Sequence, residues 1–399
     1  MSFDALWAAL EPVGRDAASG GYRRFAWTEQ DATLRDWFGG EARRRGLDLT
    51  TDRAGNQWAW WGNPDADGPG VVIGSHLDSV PDGGAFDGPL GVVSAFAALD
   101  QLQAGGFVPG RPVGIVNFGD EEGARFGVAC AGSRLLTGAL SSDRGLALTD
   151  TAGTTMAEAM RRAGHPPESV GRDEPVLRRI GVFLELHVEQ GRGLIGLDRP
   201  VGIGASIWPH GRWRLDFTGE ANHAGTTRLV DRDDPMLALA AAIVTARQAA
   251  GERRCVATIG KVAVTPNGVN AIASHVSAWL DARGPVERDV RDLVAEVAEV
   301  AVAARAHEES FSAATRFPPE LVARLAGTLD DAPVLGTGAG HDAGILAGAG
   351  IPAAMLFVRN PSGVSHSPAE HAERDDCLAG VEALARSVEA LATDEPARR

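Results

Sequence analysis

Short apolar runs, each followed by polar residues, recur in the first half of the chain and near its C-terminus. They lie in the segments GVVIGSHLD, RPVGIVNFGDEEG, IGVFLELHVEQG and GAGIPAAMLFV. A helical pattern, GVVSAFAALDQLQAGG, separates the first two. Near-continuous apolar strands separated by helices are typical of a parallel sheet that is covered on both faces. We therefore predict an α/β domain built on a mostly parallel sheet.

The segment from 210 to 317 has a different pattern. GRWRLDFTGEANH alternates as a half-exposed strand does, and the helical pattern DPMLALAAAIVTARQAAG follows it. Two more alternating segments, CVATIGKVAV and HVSAWLDARG, precede the helix ERDVRDLVAEVAEVAVAARA and the strand EESFSAATRF. This order predicts a ferredoxin-like α+β domain inserted into the α/β domain. The predicted boundaries are 1–209 and 318–399 for the α/β domain and 210–317 for the insertion.

Composition and charge exclude several functional classes. The 399 residues exceed what one hydrophobic core usually holds, and the net charge of −15 comes with no Lys/Arg cluster beyond ARRR at 42–45. This argues against a nucleic-acid partner. No apolar run approaches the roughly 20 residues of a membrane helix, and the N-terminus lacks the pattern of a secretory signal. Three scattered cysteines form no disulfide framework, so we predict a cytoplasmic protein without a membrane partner.

Histidines and acids follow each of the four predicted strands. In chain order these are His76 with Asp78, the acids at 120–122, His187 with Glu189, and His366. A lone histidine is more often structural, but four strand ends with the same feature favour one common site. Because the carboxyl ends of parallel strands meet at one edge of a sheet, we expect these side chains to converge. Imidazole and carboxylate together suit zinc, manganese or cobalt.

The loop GSHLDSVPDGGAFDGPLG carries three acids among its glycines. The glycines permit a sharp turn that can bring Asp87 back toward the strand end. Asp78 is two residues from His76, so both can point to one side of an extended chain, where the carboxylate can orient the imidazole. We interpret Asp82 as a turn residue.

Seven motifs in this order resemble one known family. They are GSHLDSVPDGGAFDGPLGV, DEEGARF, ELHVEQG, GEANHAGTT, PNGVNAI, DAR and GAGHDA. They resemble the amidase, hydantoinase and carbamoylase branch of the two-metal aminopeptidase-like hydrolases, which includes N-carbamoyl-L-amino-acid hydrolases and allantoate amidohydrolases. The similarity runs from about GGYRRFAWTEQD to GVSHSPAEH and covers nearly the whole chain.

The resemblance implies a centre of two divalent metal ions per subunit, with zinc as the expected metal and manganese or cobalt as alternatives. One ion would be bound by His76, Asp87 and His187. The other would be bound by Asp87, Glu122 and His366, so that Asp87 bridges the two ions.

The resemblance also implies catalytic and partner-dependent roles. Glu121 would be the general base rather than a ligand, and Asp78 would orient a metal-binding histidine. His223, in the motif NHAG, resembles a histidine that reaches the active site of a partner subunit. We therefore predict a homodimer formed through the inserted domain.

Three further residues resemble those that contact the substrate. Asn270 and Arg283 match the family's clamp for a substrate carboxylate, and Gln190 matches a position that lines the pocket. A planar guanidinium suits a carboxylate in a way that lysine does not. The predicted substrate is thus a small ureido carboxylate.

The predicted activity is hydrolysis of the ureido C–N bond of allantoate or an N-carbamoyl-L-amino acid, with release of ammonia and carbon dioxide. The alternative is a metallopeptidase or deacylase of the wider superfamily. A third interpretation is a relative without metals, against which the intact ligand set argues. Arg228 and Arg359 could contact an anionic substrate or lie on the surface, and His341 and Asp342 could be structural or support a ligand.

Overall fold

A computed structural model of the chain describes residues 2–300 and 305–393. The chain divides into two compact units. The first comprises Met1–Ala205 and Arg316–Arg399, and the second comprises Ser206–Thr315. The last part of the helix predicted from ERDVRDLVAEVAEVAVAARA, at 301–304, lies outside the described residues.

Within the described residues, the first unit contains nine strands. They are β1 (Asp48–Thr51), β2 (Gln57–Trp61), β3 (Gly70–His76), β4 (Val113–Phe118), β5 (Ile180–Val188), β6 (Val201–Ile207), β13 (Thr315–Arg316, at the boundary of the units), β14 (Val334–Thr337) and β15 (Ala353–Val358). Its α-helices are α1 (Phe3–Leu10), α2 (Glu29–Arg44), α3 (Pro89–Ala104), α4 (Ala131–Thr137), α5 (Ser142–Leu146), α6 (Met156–Arg162), α7 (Glu174–Arg179), α8 (Gly193–Leu197), α11 (Pro319–Thr328), α12 (Asp342–Gly348) and α13 (Arg374–Ala392).

These strands form one sheet in the order β1-β2-β4-β3-β5-β15-β6-β13, with β14 also paired to β6. The central strands β4, β3, β5 and β15 are parallel to one another, whereas β2 and β6 join this group in antiparallel orientation. All residues of β3, β4 and β15 are buried, because helices such as α3, α12 and α13 pack on the sheet. The predicted α/β fold with a largely parallel central sheet is confirmed.

The second unit has the order strand, helix, strand, strand, helix, strand. These elements are β7 (His210–Thr218), α9 (Pro235–Arg253), β9 (Val256–Thr265), β11 (His275–Arg283), α10 (Glu287–Val300) and β12 (Arg305–Ser312). The strands form an antiparallel sheet in the order β12-β7-β11-β9, and both helices pack on it around a core that includes Trp213, Phe217, Leu280 and Leu293. A short ribbon pairs β8 (Asn222–His223) with β10 (Ala271–Ile272).

The last strand of this unit lies earlier than the sequence pattern placed it. EESFSAATRF predicts a strand over 308–317, but β12 ends at Ser312, and Thr315–Arg316 forms the separate strand β13. The reason is the partner strand, since Ser312 pairs with His210, the first residue of β7. The ladder therefore ends where β7 begins.

Candidate metal centre

The four central strands bring the predicted site residues to one edge of the sheet. His76 is the last residue of β3, and His187 is the penultimate residue of β5. Glu121 and Glu122 follow β4, and His366 lies eight residues beyond β15. Neighbouring parallel strands end at the same edge, so side chains far apart in sequence meet there.

The first group of possible ligands consists of His76, Asp87 and His187. The Nε2 atoms of the two histidines lie 3.5 and 3.0 Å from Asp87 Oδ1. Each ring places its Nδ1 against a backbone carbonyl, His76 on Asp78 O at 3.1 Å and His187 on Val188 O at 2.8 Å. Nδ1 therefore carries the hydrogen and leaves the lone pair on Nε2. Both Nε2 atoms are buried without a hydrogen bond of suitable geometry, as a cation site requires.

The second group consists of Asp87, Glu122 and His366. Nε2 of His366 lies 3.3 Å from Asp87 Oδ2 and 3.6 Å from Glu122 Oε2. Asp87 thus turns one carboxylate oxygen toward each group. Within each group the candidate ligand atoms lie within 4.8 Å of one another. The donor set, imidazole nitrogen with carboxylate oxygen, fits two ions of the zinc, manganese or cobalt type.

The charges of the second group depend strongly on one another. Burial opposes ionisation of Asp87, yet His187, His366 and His76 around it hold the pKa of Asp87 well below its usual range. The hydrogen bond with Asp87 raises the pKa of His366 to about 9. Burial, with the Asp87 charge added to it, raises the pKa of Glu122 to about 7. A divalent cation would relieve the repulsion between Glu122 and Asp87.

Glu121 lies beside the first group and belongs to neither group. Its Oε2 lies 3.6 Å from His76 Nε2, and its Oε1 accepts a hydrogen bond from the Cys130 thiol at 3.2 Å. Burial raises the pKa of Glu121 well above its usual range, and the charges of Asp342 and Glu122 add to this effect. A buried carboxylate with a raised pKa is a stronger base than a surface one.

Asp78 contacts the site in two ways. Its backbone carbonyl contacts the His76 ring, whereas its carboxylate Oδ1 is 3.5 Å from that ring. The carboxylate oxygens accept the backbone N–H groups of Glu121 and Glu122 at 3.1 and 3.0 Å. Asp78 therefore positions the two glutamates as well as the histidine.

Gly88 explains why the loop that carries Asp87 needs glycine. Its φ is +83°, and a Cβ atom there would lie 2.4 Å from the His76 ring. Only glycine combines this left-handed backbone with so close an approach to the ring. Asp82, in the same loop, binds Ser19 and Arg23 near the surface instead of the site.

Two buried carboxylates were missed by sequence reasoning. Glu370 accepts the backbone N–H groups of Phe86 and Asp87, each at 2.9 Å, and the Ser365 hydroxyl at 2.8 Å. Glu185 accepts hydrogen bonds from the Ser75 hydroxyl and from the backbone N–H of Ala343, both at 2.9 Å. Glu185 is two residues before His187 on β5, so the period of a strand could have placed both on one face. Glu370 gave only the weaker signal of an acid close after His366.

Other polar candidates support the site or lie apart from it. His341 is buried with its ring 4.5 Å from that of His187, and burial lowers its pKa well below the usual range, so it is neutral. Asp342 accepts the Ser133 hydroxyl at 2.5 Å. Arg359 pairs with Asp376 and Asp198, and Arg228 pairs with Asp231, so both are engaged in ion pairs. Glu189 accepts the backbone N–H of Leu194 near the start of α8.

Gln190 lies against the bridging carboxylate. Its Nε2 donates to Asp87 Oδ2 at 2.8 Å and to Ser365 Oγ at 3.2 Å. The same nitrogen is 3.4 Å from His366 Nε2. The predicted pocket residue is therefore within reach of the second ligand group.

The second unit brings together only two of its three predicted site residues. His223 on β8 pairs with Ala271 on β10, and the next residue, Ala224, donates its N–H to Asn270 O at 3.0 Å. Arg283 is the last residue of β11 and lies eight residues beyond His275, the first, which corresponds to about 26 Å of strand. Its guanidinium donates to both carboxylate oxygens of Asp281, at 2.7 and 3.0 Å.

Comparison with known proteins identifies the family of this chain. The model of peptidase family M20/M25/M40 matches residues 72–390. The chain belongs to this family. The match spans both ligand groups, from β3 to α13. None of the helices within 2–300 and 305–393 is long and apolar enough to cross a membrane.

Particular relatives of this M20/M25/M40 chain lie in the carbamoylase branch. It is 34% identical to the N-carbamoyl-L-amino acid amidohydrolase of Geobacillus stearothermophilus, over 98% of this chain and 99% of the relative. It is 31% identical to the allantoate amidohydrolase of Bacillus subtilis, over 92% of each chain. A crystal structure of an amidase of the hydantoinase/carbamoylase family from Burkholderia multivorans matches with a TM-score of 0.87 and 28% identity, over 99% of each chain. The resemblance that the seven motifs indicated is confirmed.

Proposed function

We propose that the chain is a metal-dependent amidohydrolase that cleaves the ureido C–N bond of allantoate or an N-carbamoyl-L-amino acid, releasing ammonia and carbon dioxide. One observation carries this proposal. Two histidine–carboxylate groups share Asp87, with the carboxylate of Glu121 beside them and outside both. The similarity to carbamoylases and to an allantoate amidohydrolase supports the substrate class.

The residues of the centre divide the work between binding and proton transfer. His76, Asp87 and His187 would hold one ion, and Asp87, Glu122 and His366 the other. When bound, two such ions supply an activated water and polarise the substrate carbonyl. Glu121 takes a proton from the attacking water and returns it to the departing nitrogen, for which its raised pKa is suited.

Residues of the second unit would bind and stabilise the substrate. Arg283 and Asn270 would bind the substrate carboxylate, and His223 would stabilise the negative charge that develops on the carbonyl oxygen. Asp281 holds the Arg283 guanidinium through two hydrogen bonds, so the arginine is already oriented. An Arg283→Lys variant is expected to raise KM more than it lowers kcat, because lysine loses the planar contact.

We propose in addition that the active form is a homodimer joined through the second unit. Helix α9 exposes apolar side chains, among them Leu237 at 72% and Val244 at 55%. Strand β9 forms an edge of the sheet in the described residues, with Val256 and Val262 exposed. Such faces and edges favour association with a second copy.

The positions of the substrate-binding residues support the same assembly. Arg283 is the last residue of β11, whereas Asn270 precedes the first residue of that strand, whose eight steps span about 26 Å, much more than one small carboxylate. A partner subunit that supplies His223 and Asn270 would remove this difficulty. We also infer a cytoplasmic location, which the three buried free cysteines support.

The decisive experiment is an ammonia-release assay on the metal-loaded protein. The substrates are allantoate, ureidoglycolate, N-carbamoyl-β-alanine and several N-carbamoyl-L-amino acids, with dipeptides and N-acyl amino acids as the comparison set. We expect ammonia from at least one ureido compound and none from the dipeptides. Peptide or acyl cleavage without ammonia release would show instead a peptidase or deacylase.

A further inference from the structure

Ser365 stands between two carboxylates and can satisfy only one of them. Its hydroxyl oxygen lies 2.8 Å from Glu370 Oε1 and 3.2 Å from Asp87 Oδ2. A serine hydroxyl has a single hydrogen to donate. The shorter distance places this hydrogen on Glu370.

The direction of the Ser365 hydrogen bond affects the lone pairs that Asp87 Oδ2 has available. Gln190 Nε2 donates to this oxygen at 2.8 Å. A carboxylate oxygen has two lone pairs in the carboxylate plane. The second one faces His366 Nε2 at 3.3 Å in the metal-free chain, and it becomes available to the ion that would also be bound by Glu122 and His366 when His366 loses its proton. A second hydrogen bond, from Ser365, would occupy that remaining lone pair.

We propose that Glu370 is a positioning residue that draws the Ser365 hydrogen away from Asp87 and so keeps Asp87 Oδ2 free to bridge. The proposal rests on the proposed metal centre. Glu370 is suited to the task because an ionised carboxylate only accepts hydrogen bonds. Its Oε2 already accepts the N–H groups of Phe86 and Asp87, which leaves Oε1 for the hydroxyl.

Packing keeps the Glu370 carboxylate in this position. The side chain is buried, and a Cβ atom at Gly84 would lie 2.3 Å from Glu370 Oε2. The carboxylate is therefore pressed against the backbone of the loop that carries Asp87. It also links that loop to the His366 loop, 283 residues further along the chain.

Glutamine at position 370 would reverse the hydrogen bond without a change of shape. Its carbonyl oxygen can keep the two backbone N–H groups, which turns its NH₂ group toward Ser365 Oγ. The serine then accepts from the amide, and its own hydrogen points to Asp87 Oδ2. The E370Q variant should therefore weaken one ion-binding site and spare the other, which uses Asp87 Oδ1, His76 and His187.

The experiment counts ions by equilibrium dialysis with Mn²⁺ alone for the wild type, E370Q, S365A and E370Q/S365A. We expect two ions on the wild type and an affinity for the second ion that is about tenfold lower or worse in E370Q, the scale of one hydrogen bond to a charged group. The first ion should bind unchanged. The double variant lacks the competing hydroxyl, so its affinity for the second ion should return to within about threefold of the wild-type affinity.

Three outcomes would overturn the proposal. The first is that E370Q and the wild type bind the second ion with equal affinity. The second is that the double variant binds it no more tightly than E370Q does, because removal of a hydroxyl would not rescue the loss of a merely structural glutamate. A tenfold loss in S365A alone is the third, and this arm holds even if E370Q does not fold. Thermal unfolding of the metal-free proteins monitors the fold.

The wild type separates this inference from the proposed function. A wild type that binds two Mn²⁺ ions but releases no ammonia from any ureido compound would overturn the function and leave the inference to be decided by the variants. A wild type that binds fewer than two ions would overturn both.

Discussion

At the scale of single residues, Glu121 and Glu122 are neighbours in the chain with different contacts. Glu122 faces His366, whereas Glu121 lies near His76 and accepts the Cys130 thiol. We expect Glu121→Gln to keep both ions but to lose about 10²- to 10⁴-fold in kcat, because an amide cannot take a proton from water. Metal content and kcat are measured together, with the exposed Glu220→Gln as the control. Retained turnover would remove Glu121 as the base.

Also at this scale, protons and metal ions compete for the second ligand group. His366 has a pKa of about 9 and Glu122 a pKa of about 7 in the metal-free chain. Both must lose a proton to bind an ion, so the affinity of this site should rise with pH. Below pH 9 the affinity should fall about tenfold per pH unit, and more steeply below 7. Calorimetric titration with Mn²⁺ in buffers of different ionisation enthalpy measures the released protons. An affinity that does not change between pH 7 and pH 9 would contradict this prediction.

At the scale of elements, the turn from β3 into α3 tests the local geometry of the site. Gly88 and Gly153 have almost the same φ, +83° and +81°, but a Cβ atom would contact the His76 ring at Gly88 and no neighbouring atom at Gly153. Gly153→Ala should cost about 1 kcal/mol of stability from strain alone. Gly88→Ala should cost more and should also reduce uptake of Mn²⁺. Denaturant unfolding and metal analysis compare the two variants, and equal losses would show that the ring contact does not matter.

The same elements show what the sequence could and could not predict. His76 and His187 follow apolar runs directly, so the pattern of strands was enough to place them at one sheet edge. The contact of Glu370 with the backbone of Asp87 joins segments 283 residues apart and depends on a close approach at Gly84. No local pattern encodes such a contact. The end of β12 was missed for a related reason, because the partner strand decides where the ladder stops.

At the scale of the whole molecule, the distribution of the predicted site residues matters more than any one distance. The candidate metal ligands and Glu121 all belong to the first unit, whereas His223, Asn270 and Arg283 belong to the second. Within that second unit the three residues do not meet, although the resemblance implies that they act on one substrate. The proposed homodimer, in which each site would combine residues of two chains, would account for this separation.

Mixing two inactive variants tests that arrangement directly. His223→Ala and Glu121→Gln chains, dissociated and reassociated together, should regain about a quarter of wild-type activity, because half the dimers are mixed and each has one intact site. Mixing Glu121→Gln with His366→Ala is the matched control. Both residues lie in the first unit and are assigned to the same proposed metal centre, so this pair should stay inactive. Ammonia release after reassociation is the measurement, and equal inactivity of both mixtures would place His223 in the site of its own chain.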